Sequence, residues 1–317
     1  MIELKGRQVL VTGGAGFVGS NIVQLLIDRG AKVTVLDNLY TGLEALIPKH
    51  PDVSFIKGDV IDNDLVEELV KAHKLIIHVA AKNIIASTKN PKADYETNIG
   101  GTLNLLLAAK KYTIEKMVYT SSASVYGNPS ILPITEDSAI YTLSPYAVSK
   151  LAGENYCIAF YESYEVPVSI IRFSNVYGIN QAVTNPYCGV VAKFFESALN
   201  DDNIKIHGDG EQTRDFTFVL DSANATIEAL INSRSSGLIF NTGTGFEISI
   251  NELAKKIIEI TDSSSNIEYI KKRDIDNIRR RAVNIESIRR MLRWSPQYTL
   301  SEGLKLTFEW LKNSNQI

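Results

Sequence analysis

Short apolar runs alternate with longer amphipathic stretches through the first half of the chain. Helical apolar spacing separates the runs, as in Ile22–Leu26 and Leu65–Val70. Strands that alternate with helices usually pair in parallel through right-handed crossovers. The pattern therefore predicts an α/β fold with a doubly wound parallel sheet. Its first five predicted strands are Gln8–Val11, Lys32–Leu36, Val53–Ile56, Leu75–Val79 and Met117–Tyr119.

The lengths of the predicted elements and the composition of the loops change after about Gly178. Before this point, a predicted helix over Tyr146–Tyr164 leads into a further buried strand, Val168–Phe173. After it, polar loops rich in Asn, Asp and Gly separate shorter elements, and no Pro/Ser-rich linker divides the two parts. We predict a sheet domain over residues 1–178 and a smaller ligand-binding lobe over residues 179–317, with some segments returning to the sheet.

Composition excludes several classes of protein. The 317 residues are 44% apolar and 22% charged, with a net charge of −3, so no bulk charge favours nucleic acid or an anionic membrane. Cys157 and Cys188 offer neither a disulfide framework nor metal-ligand spacing. No apolar run approaches the ~18 residues that span a bilayer, and no signal-peptide pattern is present. We expect a cytoplasmic protein that binds no metal, no membrane and no nucleic acid.

A glycine-rich segment, Thr12–Gly19, joins the first predicted strand to a helix. A pyrophosphate that approaches backbone N–H groups at a helix N-terminus needs positions without Cβ atoms. Gly13 and Gly16 meet this need in the turn, and Gly19 allows the helix to pack closely on the strand. With a strand before it and a helix after it, the segment predicts a Rossmann-type dinucleotide-binding site.

An acidic residue ends the second predicted strand. The carboxylate of Asp37 at this place accepts hydrogen bonds from ribose hydroxyls and repels a 2′-phosphate. No Lys or Arg lies between Asp37 and Pro48, so the sequence predicts NAD rather than NADP. Asp59, which follows the third strand, is either an adenine contact or an ordinary turn aspartate.

Tyr146 and Lys150 lie four residues apart and so share one face of a predicted helix. A tyrosine hydroxyl titrates near ~10, and a neighbouring ammonium lowers that pKa because it favours the phenolate. Any amphipathic helix can carry such a pair on its surface, so the pair alone predicts no site. The hydroxyl-rich run Thr120–Gly127 lies at the end of the fifth strand, where open α/β sheets bind ligands. Together these features predict proton transfer at a substrate oxygen.

These motifs resemble those of the extended short-chain dehydrogenase/reductase family, in its sugar-nucleotide epimerase/dehydratase branch. The resemblance covers nearly the whole chain, which makes it specific. The segments that carry it are Thr12–Gly19, Asp37–Asn38, Gly58–Val60, His78–Ala81, Asn98–Thr102, Ser121–Gly127, Tyr146–Lys150, Arg172–Gly178 and Gly208–Phe216.

The resemblance implies roles for named residues. Tyr146 would be the catalytic acid/base, Lys150 would orient it and hold the nicotinamide ribose, and Ser122 would bind the reacting oxygen. Asn98 would support the helix that carries the tyrosine. The cofactor-binding residues that the family implies are Gly13, Gly16, Phe17, Val18, Gly19, Asp37, Asn38, Asp59, Val60, Ala80, Ala81, Asn98, Tyr146 and Lys150.

The family also implies a set of substrate-binding residues. Asn175 and Arg214 would contact the diphosphate of a sugar nucleotide, and Phe194 either lines the nucleobase pocket or belongs to the core. The family's second diphosphate arginine lies in an Arg-x-Gly-Asp element; this chain departs from it, and Arg273 is the nearest candidate. The full set is Ser122, Ser124, Tyr146, Asn175, Val190, Phe194, Arg214 and Arg273.

The residues after the strand-five serine separate the branches of the family. The 4,6-dehydratases carry an Asp-Glu pair there and the uronate decarboxylases carry a glutamate, whereas this chain has Ala123 and Ser124. Hydride and proton transfer at a single carbinol carbon remain, and they fit 4-epimerization of a UDP-sugar with NAD kept bound.

A basic run follows near the C-terminus, Arg279-Arg280-Arg281, and we expect at least two of its three side chains to be solvated. Arg281 falls near the position that tunes the family's tolerance for an N-acetyl group.

Other functions stay open at this point. A 4-keto reductase, a CDP-sugar 2-epimerase or an epimerase specific for UDP-glucuronate would share the same motifs. A non-catalytic NAD-binding regulator would typically lack the Tyr–Lys pair. The family resemblance further implies a homodimer. Its four-helix bundle would form from the helix near Tyr95–Tyr112 and from the tyrosine helix.

Overall fold

A computed structural model of the chain describes residues 1–181, 183, 189–272 and 278–314. The strands are β1 (Gln8–Thr12), β2 (Lys32–Asp37), β3 (Val53–Lys57), β4 (Leu75–His78), β5 (Lys116–Ser122), β6 (Val168–Phe173), β7 (Asn175–Tyr177), β8 (Ile204–His207), β9 (Thr213–Arg214), β10 (Phe216–Phe218), β11 (Ile239–Thr242), β12 (Ile248–Ser249) and β13 (Ile267–Ile270). The α-helices are α1 (Phe17–Asp28), α2 (Asn63–Ala72), α3 (Ile84–Lys89), α4 (Pro91–Asp94), α5 (Thr102–Tyr112), α6 (Pro145–Tyr164), α7 (Val190–Leu199), α8 (Val219–Ile231), α9 (Ile250–Thr261), α10 (Glu286–Leu292) and α11 (Leu300–Asn313).

The main sheet has seven strands in the order β11-β6-β5-β4-β1-β2-β3, and every pair in it is parallel. The strand order reverses between β1 and β4, because the chain runs outward from β1 to β3 and then crosses back. The prediction of a doubly wound parallel sheet is confirmed. Ligands bind such sheets at the carboxyl ends of the strands beside this reversal.

Alternating side chains of each strand enter different halves of the core. Val9 and Val11 of β1 pack in the cluster that includes α1 and α8, whereas Leu10 packs in the cluster that includes α2 and α5. Successive Cβ atoms of a strand point to opposite faces. Helices on both faces therefore bury the central strands, which explains why β4, β5 and β6 are buried along almost their whole length.

A third core cluster underlies the C-terminal lobe and joins α7, α9 and α11. Three small two-stranded sheets accompany it, formed by β7 with β10, β8 with β13, and β9 with β12. Two segments beyond residue 178 lie against the main sheet, since β11 pairs with β6 and α8 packs on α1. The division at residue 178 stays a prediction.

The tyrosine helix and the helix before β5 begin differently. At α6, the Ser144 hydroxyl accepts a hydrogen bond from the Ala147 amide and Pro145 occupies the first turn, which is a typical helix start. The segment before β5 is interrupted by a π-helical turn, Tyr95–Gly101, before α5. In the described part of the chain, no helix is long and apolar enough to cross a membrane.

Candidate active site

The loop after β1 brings backbone atoms very close together. Gly13 has φ +74°, and a Cβ atom there would lie 2.6 Å from the Ala80 nitrogen. A Cβ atom on Gly19 would lie 2.0 Å from the Gly13 carbonyl oxygen. Helix α1 follows with Gly16 as its N-cap, and no side chain of the described residues caps it. Free amides at a helix N-terminus form a site for a phosphate group.

Asp37 closes the same loop from the end of β2. Its carboxylate accepts hydrogen bonds from the Ala15 amide at 3.0 Å and the Leu39 amide at 2.8 Å. Burial raises the pKa of Asp37, and these two hydrogen bonds oppose the increase. Asp59 accepts a hydrogen bond from the Asn38 side chain at 2.5 Å. Asp59 therefore holds a neighbouring loop residue, which the sequence alone did not reveal.

A cavity of about 540 Å³ opens along the carboxyl ends of the central strands, a volume that fits a bound cofactor. Its wall includes the glycine loop, the end of β2 with the loop that follows it, the end of β4 and the start of α6. The cofactor-binding residues expected from the sequence that line it are Gly13, Gly16, Phe17, Val18, Gly19, Asp37, Asn38, Asp59, Val60, Ala80, Ala81, Tyr146 and Lys150. Asn98 does not line it.

Two side chains of the cavity wall contact each other. The Lys82 ammonium lies 3.3 Å from the centroid of the Tyr40 ring, and both residues line the cavity. Tyr40 follows β2 and Lys82 follows β4, while β1 lies between these strands. The contact therefore spans the end of β1 in front of the glycine loop. Neither residue was predicted from the sequence.

Tyr146 and Lys150 also line the cavity. The Lys150 ammonium donates to the Thr120 carbonyl oxygen at 2.8 Å and lies 6.0 Å from the centroid of the Tyr146 ring. Burial raises the pKa of Tyr146 to about 12, while its hydrogen bond with Ser122 lowers it. Burial lowers the pKa of Lys150 to about 8. The structure thus brings Ser122, Tyr146 and Lys150 together beside the cavity.

Ser122 ends β5 and turns the chain into a 3₁₀ turn, Ala123–Tyr126. Its hydroxyl accepts a hydrogen bond from the Ser124 amide at 3.1 Å, and it also hydrogen-bonds Tyr146. The Ser124 hydroxyl is buried and has no hydrogen-bond partner among the described residues. Neither Ser122 nor Ser124 is part of the cavity wall.

Asn98 lies behind the cavity, within the π-helical turn. Its side chain accepts from the Lys82 amide at 2.7 Å and donates to the Lys82 carbonyl at 3.1 Å. It also donates to the Ser149 hydroxyl on α6 at 3.1 Å and to the Asp94 carboxylate at 2.6 Å. Asp94 was not predicted from the sequence, although it lies four residues before Asn98 and so on the same helical face.

The expected substrate-binding residues are distributed over the second lobe. Arg214 is buried in β9 and donates to the carbonyl oxygens of Thr213 and Ile278. The Asn175 side-chain oxygen is buried without a hydrogen-bond partner among the described residues. Phe194 is buried in the core of the lobe, where Val190 packs against it. Arg273 lies outside the described residues, so the structure gives no position for it.

The basic run near the C-terminus divides into exposed and buried members. Arg279 pairs with Asp209 and Arg280 pairs with Glu247, and both arginine side chains are more than half exposed. Arg281 is buried, with 6% of its surface exposed. The expectation that two of the three are solvated agrees with this arrangement. Within the described ranges, no cluster of His, Cys, Asp and Glu could hold a metal ion.

Comparison with known proteins gives relatives from one family of sugar-nucleotide enzymes. The family described as the NAD dependent epimerase/dehydratase family matches residues 9–243. UDP-glucose 4-epimerase of Mycolicibacterium smegmatis is 36% identical over 317 residues, covering 98% of this chain and 100% of that protein. UDP-N-acetyl-alpha-D-glucosaminuronate decarboxylase of Bacillus cytotoxicus is 33% identical over 318 residues, covering 96% and 98%. The crystal structure of UDP-glucose 4-epimerase from Thermotoga maritima with UDP-glucose is 33% identical with a TM-score of 0.93, covering 97% and 99%.

Proposed function

Because the chain belongs to the NAD-dependent epimerase/dehydratase family, we propose that it inverts C4 of a UDP-sugar. The observation that carries the proposal is the trio of Ser122, Tyr146 and Lys150 beside the cavity of about 540 Å³. These side chains can transfer a proton at a substrate oxygen. A second acid, which dehydration and decarboxylation need in this family, is missing because positions 123 and 124 are Ala and Ser.

The residues present fit NAD. The glycine loop offers amides at the start of α1 with no Cβ atoms in the way, and Asp37 lines the cavity beside this loop, where its carboxylate could accept hydrogen bonds from ribose hydroxyls. The stretch between Asp37 and Pro48 holds no basic residue for a 2′-phosphate. When bound, NAD supplies the position that takes hydride from C4 of the sugar and returns it.

Tyr146 carries the proton in this proposal. In the free protein burial holds its pKa near 12, so the phenolate needs positive charge close by. Protonated Lys150 supplies part of that charge, and the nicotinamide ring adds to it. Tyr146 then removes the C4 hydroxyl proton, and it returns the proton after the 4-keto sugar has turned to present its other face. Ser122 holds the reacting oxygen by a hydrogen bond.

The diphosphate would be held by Asn175 and Arg214, together with Arg273. The side-chain oxygen of Asn175 is buried and has no hydrogen-bond partner among the described residues. This supports a polar ligand near β7, because a buried oxygen without a partner costs free energy.

Arg281 would limit the group at C2 or pair with a carboxylate at C6. Replacement of Arg281 by serine is expected to change the preferred sugar.

We also propose a homodimer in the cytoplasm. The π-helical turn, α5 and α6 each carry an exposed apolar side chain, with Tyr95 at 61%, Leu107 at 47% and Val148 at 50% exposure. Large exposed apolar side chains on neighbouring helices are compatible with a protein–protein interface. Pairing of these helices with those of a second copy would form a four-helix bundle. Free, buried Cys157 fits a reducing compartment.

The test follows anomeric protons by NMR during incubation of the purified protein, without added cofactor, with a single sugar nucleotide. UDP-glucose, UDP-N-acetylglucosamine and UDP-glucuronate are tested separately. We expect the matching galacto epimer to form from one of them and to be absent with Tyr146→Phe. Turnover of none of the three, even after addition of NAD, would contradict UDP-sugar 4-epimerization and direct attention to reductase assays and to CDP-sugars.

A further inference from the structure

A buried carboxylate lies behind the Tyr146–Lys150 pair. Asp94 ends α4 and is only 3% exposed. One of its oxygens, Oδ1, accepts hydrogen bonds from the hydroxyls of Ser87 and Ser149 and from the side-chain amide of Asn98. Three donors on one carboxylate oxygen stabilise the ionised form. The proposed reaction gives Asp94 no direct role, because it does not line the cavity.

The partners of Asp94 lie on three elements that build the site. Ser149 is the residue before Lys150 on α6, and its hydroxyl donates to Asp94 across 3.0 Å. Asn98 donates to Asp94 and holds the backbone of Lys82 through both its amide and its carbonyl. Lys82 directly follows Ala81 on the cavity wall. A single carboxylate therefore connects the catalytic helix to the wall of the cofactor cavity.

Two acidic side chains face Lys150, and only one of them is neutralised by another cation. Glu154 is held in a two-point ion pair by the buried Arg172, at 2.9 and 2.6 Å. Asp94 has only neutral hydrogen-bond donors and no ion pair within the described residues. The remaining neighbours of Lys150 are uncharged at neutral pH. Burial lowers the pKa of His78 to about 3 and raises the pKa values of Tyr119, Tyr146 and Cys157. The groups that face Lys150 are Asp94 from α4, His78 from β4, Tyr119 from β5, and Tyr146, Glu154 and Cys157 from α6.

We propose that Asp94 is a positioning residue for the Tyr146–Lys150 pair: its buried carboxylate fixes Ser149 and Asn98 by hydrogen bonds and places a negative charge near Lys150. The proposal rests on the proposed roles of Tyr146 and Lys150. Among the charge effects on Lys150, that of Asp94 is the largest, and it raises the lysine pKa against burial. Burial raises the pKa of Asp94, and the hydrogen bonds from Ser87 and Ser149 and the charge of Lys150 oppose this increase.

The charge has a defined chemical consequence. A neutral Lys150 would remove part of the positive charge that stabilises the phenolate of Tyr146, so the pKa of Tyr146 would stay higher and less of the base would form. Asp94 also raises the pKa of Tyr146, but this is the smallest of the effects on that hydroxyl. The net result of removing the carboxylate is therefore a lysine that loses its proton at lower pH.

The first experiment measures the titration of Lys150 directly, by NMR of the full chain with ¹³C at lysine Cε and with NAD bound. The Lys150 signal is identified by its absence in Lys150→Met. With Asp94→Asn we expect Lys150 to titrate at lower pH than in the parent, and with Asp94→Glu we expect most of the difference to be restored. Ser87→Ala is the matched control, because it removes one donor and keeps the charge, and it should leave the titration near that of the parent.

A second measurement uses the reciprocity of linked equilibria. If Asp94 and Lys150 interact, Lys150→Met must raise the pKa of the Asp94 carboxyl by as much as Asp94→Asn lowers that of Lys150. This measurement decides the question if Asp94→Asn fails to fold. Identical titration of either group in the parent and the variant would overturn the proposal. Neither experiment uses a substrate, so the result is independent of whether the chain is a 4-epimerase.

Discussion

At the scale of single residues, the shape of the cofactor cavity depends on glycines, because a side chain at these positions would collide with the backbone. Gly13 and Gly19 lie on either side of the same turn, and the Gly13 carbonyl oxygen occupies the space of a Gly19 side chain. A methyl group at residue 19 would separate α1 from the loop that precedes it. The amides at the start of α1 could then no longer converge on a phosphate group.

Gly19→Ala is therefore expected to weaken NAD binding by roughly tenfold or more, because overpacking at such a contact costs ~1–3 kcal/mol. The measurement is the dissociation constant of NAD by calorimetry. Gly100→Ala is the matched control, since a Cβ atom there would meet only the Tyr95 carbonyl oxygen, at 3.8 Å. Equal NAD affinity in the two variants would show that the close approach at Gly19 does not matter for binding.

At the scale of elements, a buried polar network holds α6 to the sheet. Glu154 on α6 accepts hydrogen bonds from Ser121 at the end of β5 and from Arg172 on β6. Arg172 also donates to the Tyr126 hydroxyl at 2.6 Å, and Tyr126 donates to Asn241 on β11 at 2.8 Å. The network fixes the helix that carries Tyr146 relative to the strand that carries Ser122.

Arg172→Met should lower the free energy of unfolding by about 3–5 kcal/mol, because it leaves the Glu154 carboxylate buried without its cation. Addition of Glu154→Leu should restore much of that loss, since the double variant buries no unpaired charge. Urea denaturation of the two single variants and the double variant measures the coupling. Additive effects of the two substitutions would contradict a stabilising role for the pair.

At the scale of the whole molecule, one buried lysine makes stability depend on pH. Lys116 begins β5, is 1% exposed, and donates to the Ser236 hydroxyl at 2.6 Å. Burial lowers its pKa to about 7, whereas the unfolded chain has the ordinary value of 10.5. Between these values the unfolded state binds more protons than the folded state, so stability rises with pH.

Lys116→Met should remove this contribution and stabilise the protein below about pH 7, where the parent buries a charged ammonium. The measurement is the free energy of unfolding from pH 6 to pH 9 for the parent and the variant, with the ~1.4 kcal/mol per pKa unit relation for comparison. Other groups titrate equally in both proteins, so the difference isolates Lys116. A difference that is constant with pH would refute the assignment.

The proposed homodimer is also a property of the whole molecule. Leu107→Glu places a charge on the exposed apolar side of α5, where Leu107 is 47% exposed. We expect this variant to sediment as a monomer, because burial of an unpaired carboxylate in the interface costs several kcal/mol. Leu43→Glu is the control, since Leu43 is 40% exposed but lies outside α5 and α6. Identical sedimentation of the parent and Leu107→Glu would contradict the proposed interface.

The sequence alone determined the features that depend on neighbouring residues. Buried strands, the glycine turn and the spacing of Tyr146 and Lys150 are local, because backbone geometry and side-chain periodicity act over a few residues. The order of elements then limited the fold to a doubly wound sheet, since parallel strands need crossovers of fixed hand. Family resemblance, which also depends on short motifs, led to NAD.

Only the tertiary structure decided which distant residues meet. Ser149 contacts Asp94 from 55 positions away in the chain, and Arg29, which directly follows α1, pairs with Glu228 of α8 from 199 positions away. No periodicity encodes such a pair, because its partners come together only when helices pack and strands order. The same reason explains why Phe194 could be either a pocket residue or a core residue until the lobe was assembled. Residue types and spacing specify the chemistry, and packing of the folded chain selects the charges that surround it.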